Sequence, residues 1–452
     1  MNSALRTTVA AIALALGTHA AVAAVTADEA ARLKTGLTPF GAEKAGNKDG
    51  SIPAWDGGYA KVPNGYQNGT PRPDPFAADK PVLRITAGNV AQHADKLTDG
   101  VKALFARYPD FRIDVYPTRR TAGGPQWVYD NTFANATRAK LADDATSVSG
   151  AYGGIPFPIP ANGEEIMWNH RLSWFGQSVH YALRTFIVTA DGRRALASEG
   201  DELQQWPYYY QDGKLDAYRG TYALGRFIVS GPGSKAGEAI LAHDASMAGR
   251  SRDIWQYLVG QRRVRKAPSV AYDTPDFVTS GVGLFDEAFM MFGPIDRHEY
   301  KLVGKKEVFI PYNNNRAALK KVDELVGTHF LNPDHVRWEL HRVWVVEATL
   351  KPGKRHTVPK RKYYIDEDSW QIVLFDGWDA KGDLWRSNYS LTYLVPELPA
   401  LVTNVMWGGY DLQTGAYYFN AAMNEAATHY KVGAPKSENI WSPEELANQG
   451  AR

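Results

Sequence analysis

His329, His335, Glu339 and His341 offer the most concentrated chemistry in this chain. Imidazole nitrogens and a carboxylate are zinc donors. Read as a strand, residues 335 to 341 put His335, Arg337, Glu339 and His341 on one face, because successive side chains alternate. Arg337 stands in the middle of that face. A guanidinium there repels a cation and offers itself to Glu339. The expectation is a hydrogen-bonded polar face opposite Val336, Trp338 and Leu340, with no metal and no cofactor.

Other chemistry is thinner. The chain has no Cys, which removes thiolate nucleophiles, Cys-ligated zinc and iron–sulfur clusters. No Gly-x-Ser-x-Gly elbow, phosphate-binding Gly-rich loop ending in Lys-Ser/Thr, or His-Glu-x-x-His helix is present. Asn47-Lys48-Asp49-Gly50 is a fragment of a calcium loop without the later acid. Gly225, and Gly281 with Gly283, stand too isolated for a dinucleotide site. With no nucleophile, base and orienting group in view, no catalytic residue is assigned and the chain reads as a non-enzyme.

A binding role draws more support. Trp255 to Lys266 (WQYLVGQRRVRK) reads as a strand with Trp255 and Tyr257 on one face and a basic edge of Arg262, Arg263, Arg265 and Lys266. An amphiphile with an apolar body and an anionic head suits that arrangement. Trp338 and Trp344 complete the candidate ligand-binding set. The competing reading is ordinary core aromatics beside a solvated basic edge.

These residues need elements to hold them. Residues 1–24 read as a cleaved secretory signal: Arg6, the short apolar run Val9 to Leu16, then Ala20-Ala21-Val22-Ala23-Ala24. No Cys follows to take a lipid anchor, so a periplasmic location is expected. Residues 25–165 read as an extended and helical region. Its segment 36–73 is rich in Gly, Pro, Asn and Asp but holds Trp55 and Tyr66, and is expected to wrap along a folded body. Helices are expected within 89–108, over 135–141, after the Asn162 cap, and after Ser442-Pro443. The Pro-rich run Gly153 to Pro160 admits neither helix nor central strand. From about residue 166 to the end, successive strands punctuated by turns predict an antiparallel meander. The fold class is α+β, mainly β: a large curved antiparallel sheet, a half-barrel, with helices on its concave face.

Composition agrees. The net charge of +2 in 452 residues gives no global reason to expect nucleic acid. Aromatic residues make up 12%, which suits a sheet that holds something apolar. Charge is uneven, with 20 Lys/Arg against 13 Asp/Glu over residues 251–362 and 5 against 12 over 363–452. The first region is either a solvated outer face or a basic rim for an anionic partner.

Several longer motifs carry a family resemblance. They are Trp255 to Pro268, Leu302-Val303-Gly304-Lys305-Lys306-Glu307, Pro311-Tyr312-Asn313, His335 to Trp344, Asp366-Glu367-Asp368-Ser369-Trp370, and Leu37 to Gly58. With them the chain resembles the bacterial domain of unknown function 1329, a family similar to the periplasmic lipoprotein carriers LolA and LolB. That resemblance implies a half-barrel closed by helices around an apolar cavity. It further implies a cell-envelope transport system with an outer-membrane β-barrel protein and an RND-type transporter as partners. The chain is about twice the size of those carriers, and its Pro-rich N-terminal extension has no counterpart there. The function expected is a carrier for a hydrophobic or lipid-like molecule or a lipoprotein acyl chain. An envelope hydrolase and a structural partner of a barrel are the alternatives.

Overall fold

The computed structural model describes residues 25–250, 252–267, 272–399 and 401–450. The expected signal, 1–24, lies outside them. The strands in chain order are β1 (Leu83–Thr86), β2 (Arg112–Val115), β3 (Lys140–Leu141), β4 (Val148–Ser149), β5 (Ser178–Val188) and β6 (Arg194–Gln205). Then come β7 (Thr221–Gly231), β8 (Ala239–Ala245), β9 (Asp253–Leu258), β10 (Arg263–Lys266), β11 (His298–Pro311) and β12 (Trp338–Leu350). The last are β13 (Lys360–Asp366), β14 (Ile372–Trp378), β15 (Leu384–Val395), β16 (Leu401–Asp411), β17 (Tyr417–Ala422) and β18 (Lys431–Gly433).

Sixteen of these strands form one sheet, in the order β1-β2-β12-β13-β14-β15-β16-β17-β5-β6-β7-β8-β9-β10, with β11 on β12 and β18 on β5. The pairing of β2 with β12 is parallel, and the other pairings along the path are antiparallel. The two ends, β1 and β10, do not meet, so the sheet is unclosed. It consists of two meanders, β5 to β10 and β11 to β17, joined where β17 pairs with β5. Residues before 166 contribute β1 and β2 to one edge.

Helix boundaries follow local chemistry. Asp99–Arg107 begins where the Thr98 hydroxyl accepts from the Val101 amide, and Gly163–Arg171 where Asn162 accepts from the Glu165 amide at 2.8 Å. The first packs on β14 and β15, the second on β11 and β12. The terminal helix Pro443–Gly450 lies against β8, β9 and β10. The helix expected over 135–141 is instead Gln126–Arg138, which starts after Pro125 without a side-chain cap to announce it.

One strand expectation needs correction. Trp255 to Lys266 is a hairpin and not a single strand. β9 ends at Leu258, a 3-10 turn spans Val259–Gln261, and Arg262 takes a left-handed conformation (φ +50°) before β10 returns antiparallel. Gly260 and the polar Gln261 and Arg262 supply the turn that the apolar–basic pattern concealed. Strands β6, β8, β16 and β17 were also hidden. β6, for example, carries Glu199, Asp201, Glu202, Gln204 and Gln205, which mask its alternation.

Candidate functional site

Of the four metal-type residues, the structure brings two together. Glu339 and His341 lie buried on β12, with His341 Nε2 3.0 Å from Glu339 Oε2. His335 sits outside the strand in the 3-10 helix Pro333–His335, and His329 stacks on Tyr108 at 5.1 Å. Arg337 Nε donates to Glu339 Oε1 at 2.5 Å, while Asn313 Nδ2 donates to the same oxygen at 3.0 Å. Burial alone would raise the Glu339 carboxyl, but the His341 hydrogen bond and the Arg337 charge hold it below the usual range.

The structure adds two acids that were not foreseen, since His341, Asp366 and Asp368 can bring one donor atom each within 4.8 Å of the others. Both acids already have partners. Arg120 grips Asp368 through Nε and Nη2 at 2.8 and 2.7 Å, and Tyr312 and Ser369 donate to Asp366 Oδ2 at 3.0 and 2.6 Å. Burial and the Asp368 charge push the Asp366 carboxyl up to about 6. Around this centre Arg342 Nε meets Glu367 at 2.6 Å, and Lys305 bridges Glu367 and Glu43 at 2.8 and 3.1 Å. Arg120 and Arg342 also donate to main-chain carbonyls of residues 43–53. Part of the basic excess of 251–362 is thus spent inside the protein on acids of 363–452. The arrangement clamps the N-terminal segment to the sheet.

The candidate ligand residues divide between two other places. Trp255 and Tyr257 share one face of β9, where they join Leu203, Leu241, Trp441 and Leu446 beneath the terminal helix. Lys266 pairs with Trp255 across the hairpin, and Arg262, Arg263 and Arg265 are exposed at its end. Trp338 borders a small cavity of about 30 Å³ with Leu104 and Phe111, while Trp344 stacks on Trp370 at 6.1 Å beneath Lys305.

A larger cavity lies on the opposite face of the sheet, across the join of the two meanders. It measures about 160 Å³, counted as space open to the centre of a water molecule. That is roughly ten times what one water needs. Six neighbouring strands line it: β16 with Trp407, β17 with Asn420, β5 with Tyr181, β6 with Glu202, β7 with Gly225 and β8 with Ala242. A flat sheet would spread six strands over about 24 Å. For all six to border one cavity, the sheet must bend around it.

Its floor follows from cross-strand register. Glu202 faces Phe227 and Ile240 along one row, Gln204 faces Gly225 and Ala242 along the next, and Ala223 faces Asp244. Small residues at 223, 225 and 242 leave the space that larger ones would fill. Residues 239, 241 and 243 alternate to the other face, with Tyr257 and Trp255 as partners of the first two. Register therefore puts Trp255 and Tyr257 on the face of the sheet away from this cavity.

The segment 276–292 also lines the cavity. It contributes Val278, Phe285, Ala288, Phe289, Met291 and Phe292. Asp286 anchors the loop on Arg361 (2.9 Å) and His356 (3.0 Å), and Asn404 Nδ2 donates to the Phe289 carbonyl at 2.7 Å. Phe289 and Met290 hold consecutive left-handed conformations, φ +49° and +71°, a strain the anchors must offset.

Polar groups within the lining are sparse and strongly perturbed. Burial pushes Glu202 up to about 8 and Asp276 up to about 7, while burial lowers His170 to about 4. The buried Tyr181 hydroxyl has no hydrogen-bond partner. None of these lining residues stood out in the sequence. The one visible signal was the glycine at 225 within an otherwise regular strand.

The described residues thus form an unclosed, mainly antiparallel sheet with a mainly apolar cavity against six of its strands. The chain belongs to the family described as Protein of unknown function (DUF1329), whose model matches residues 84–447. It is 39% identical over 447 residues to the uncharacterized protein PA3922 of Pseudomonas aeruginosa, covering 98% of this chain and 97% of that one. Among solved structures it is similar to a DUF1329 family protein from Desulfovibrio piger, with 12% identity and a TM-score of 0.43, over 63% of this chain and 97% of the other. It is also similar to the LolA superfamily protein NE2245 from Nitrosomonas europaea, with 11% identity and a TM-score of 0.37, over 63% and 100%. No helix among the described residues is long and apolar enough to cross a membrane.

Proposed function

We propose that this protein binds a hydrophobic molecule in the cavity beside the 276–292 loop and carries it within the cell envelope, as a carrier and not as a catalyst. The observation that carries the reading is the cavity itself: a preformed, mainly apolar space on one face of six strands. Burying an acyl chain there would contribute about 0.8 kcal/mol per methylene, so eight methylenes offer about 6 kcal/mol before ordering costs. The described lining includes no Ser, Thr or Lys that a neighbouring base could activate, which favours binding over hydrolysis. Residues 1–24 have the pattern of an export signal and suit a soluble envelope protein. An outer-membrane β-barrel protein and an RND-type transporter would be the partners such a carrier serves.

Gly225 provides the test. A Cβ added there meets only Glu202 Oε1, at 3.7 Å, so a larger side chain enters the cavity without a backbone clash. Gly225→Leu is expected to weaken binding of the neutral apolar dye Nile red by more than about tenfold, through lost cavity volume. The folded state should persist by near-UV circular dichroism. Unchanged dye binding in a folded variant would remove the cavity from the function.

A further inference from the structure

Arg171 and Arg252 both line the cavity; Arg171 is buried and the Arg252 side chain is only 5% exposed. Arg171 Nε and Nη2 lie 3.3 and 3.1 Å from the Tyr222 hydroxyl, and its guanidinium sits 4.2 Å over Trp168. It has no carboxylate within ion-pair distance among the described residues. Arg252 lies 3.4 Å over the Phe292 ring and 3.3 Å from Asp244, and its Nε and Nη1 have no hydrogen-bond partner. Tyr222 lies within electrostatic reach of Arg171, Asp244 and Arg252, which makes these four residues one cluster.

The charge in this cluster does not balance. Two buried guanidiniums face a single carboxylate, Asp244, because Asp286 is taken by Arg361 and His356. A buried cation without a counter-ion is costly, and donors without acceptors add to the cost. Arg120, Arg337, Arg342 and Arg361 each hold a carboxylate within 3.0 Å, although Arg337 Nη1 and Arg361 Nε are also left without a partner; Arg171 has no carboxylate among the described residues, and Arg252 has one without a formed hydrogen bond. From this contrast we infer that the cavity takes an amphiphile whose anionic head, a carboxylate or a phosphate, is held by Arg171 and Arg252, with its apolar body along the Gly225–Ala242 floor. The inference rests on the proposed hydrophobic-carrier reading and adds the ligand's charge and polarity. The head lies on the cavity face, not at the exposed basic hairpin where the sequence had placed it.

The test uses three probes of one chain length, dodecanoate, dodecyl phosphate and dodecanol, competing against Nile red on the full-length mature protein. Either anion should bind at least about tenfold more tightly than dodecanol, the scale of one charge-assisted hydrogen bond. Preference for dodecanoate points to a fatty-acid-type head and preference for the phosphate ester to a phospholipid-type head; both support the site. Arg171→Gln should weaken binding of either anion at least about tenfold more than binding of dodecanol, with near-UV circular dichroism showing that the variant is folded. The comparison on the unmodified protein stands even if that variant does not fold. Equal binding of anions and alcohol, lost equally in Gly225→Leu, would overturn the anionic head while the apolar cavity stands. Failure of all three probes and of Nile red to bind would overturn both.

Discussion

The two meanders of this sheet treat buried charge in opposite ways. Around β12 and β13, Arg120, Arg337, Arg342 and Lys305 each meet a carboxylate, and most of their remaining donors reach main-chain carbonyls. Around β5 to β8, Arg171 has only a hydroxyl and aromatic rings, Arg252 leaves two donors unused, and Glu202 is kept neutral by burial. The paired half spends its charges on fixing one conformation, the N-terminal segment against the sheet. The other half keeps small residues, empty space and unmet donors where a partner from outside can meet them. On the proposed reading, the carboxylate-paired half holds structure and the Arg171–Arg252 cluster receives the ligand.

The largest effect should come from breaking the satisfied half. Arg120→Met leaves Asp368 buried without its bidentate partner and frees the carbonyls of residues 43 and 53. Removing one member of a buried pair costs about 3–5 kcal/mol. Denaturant titration should show that loss, and limited proteolysis should open first in residues 43–58. A variant as stable as the parent would mean the network is decorative and the contrast with the cavity empty.

A second effect concerns pH and sharpens the cavity side. Glu202 has a folded pKa of about 8, above its ordinary value of 4.5. A raised carboxyl contributes stability that is fully present below the ordinary value and is lost as pH rises through the folded one. Between about pH 4.5 and 8 the parent should therefore lose stability relative to Glu202→Gln, by at most a few kcal/mol. Thermal melts of both proteins across that range measure it. Parallel curves would mean the Glu202 carboxyl is solvated and its surroundings are not an apolar cavity.

Much of the architecture was legible from local chemistry. The caps at Thr98, Asn162 and Ser442 mark helix starts because a side-chain oxygen satisfies an amide within three residues, a signal contained in the sequence. The Arg337–Glu339 pairing was legible for the same reason, since i and i+2 share a strand face. The cavity was not. It depends on which strand lies beside which, and on β17 meeting β5 across more than two hundred residues of chain. Alternation told correctly that Trp255 and Tyr257 share a face, but only register shows that Leu446 and Trp441 cover it. Arg171 and Arg252 carry no signal in the sequence that sets them apart from other arginines. Neither type nor spacing reveals a missing counter-ion.

The smallest effects are expected on the hairpin face, and they test whether the two sides of the sheet are as separate as register makes them. Trp255 is half-buried against His243 at 4.9 Å and beneath Lys266 at 5.7 Å. Trp255→Ala should cost about 1–2 kcal/mol, less than a fully buried Trp, and leave Nile red affinity unchanged. Arg263 is exposed on β10 and belongs to no ion pair among the described residues. Arg263→Glu should change stability by less than about 0.5 kcal/mol. It should also leave dodecanoate binding unaltered at any salt concentration, because the cavity cluster sits on the other side of β8 and β9. An anion affinity that falls in Arg263→Glu, and recovers as salt screens the new charge, would show the hairpin reaching the ligand during entry. In that case the basic turn would act as a gate to the cavity, and the line between a scaffold face and a receiving face would have to be redrawn.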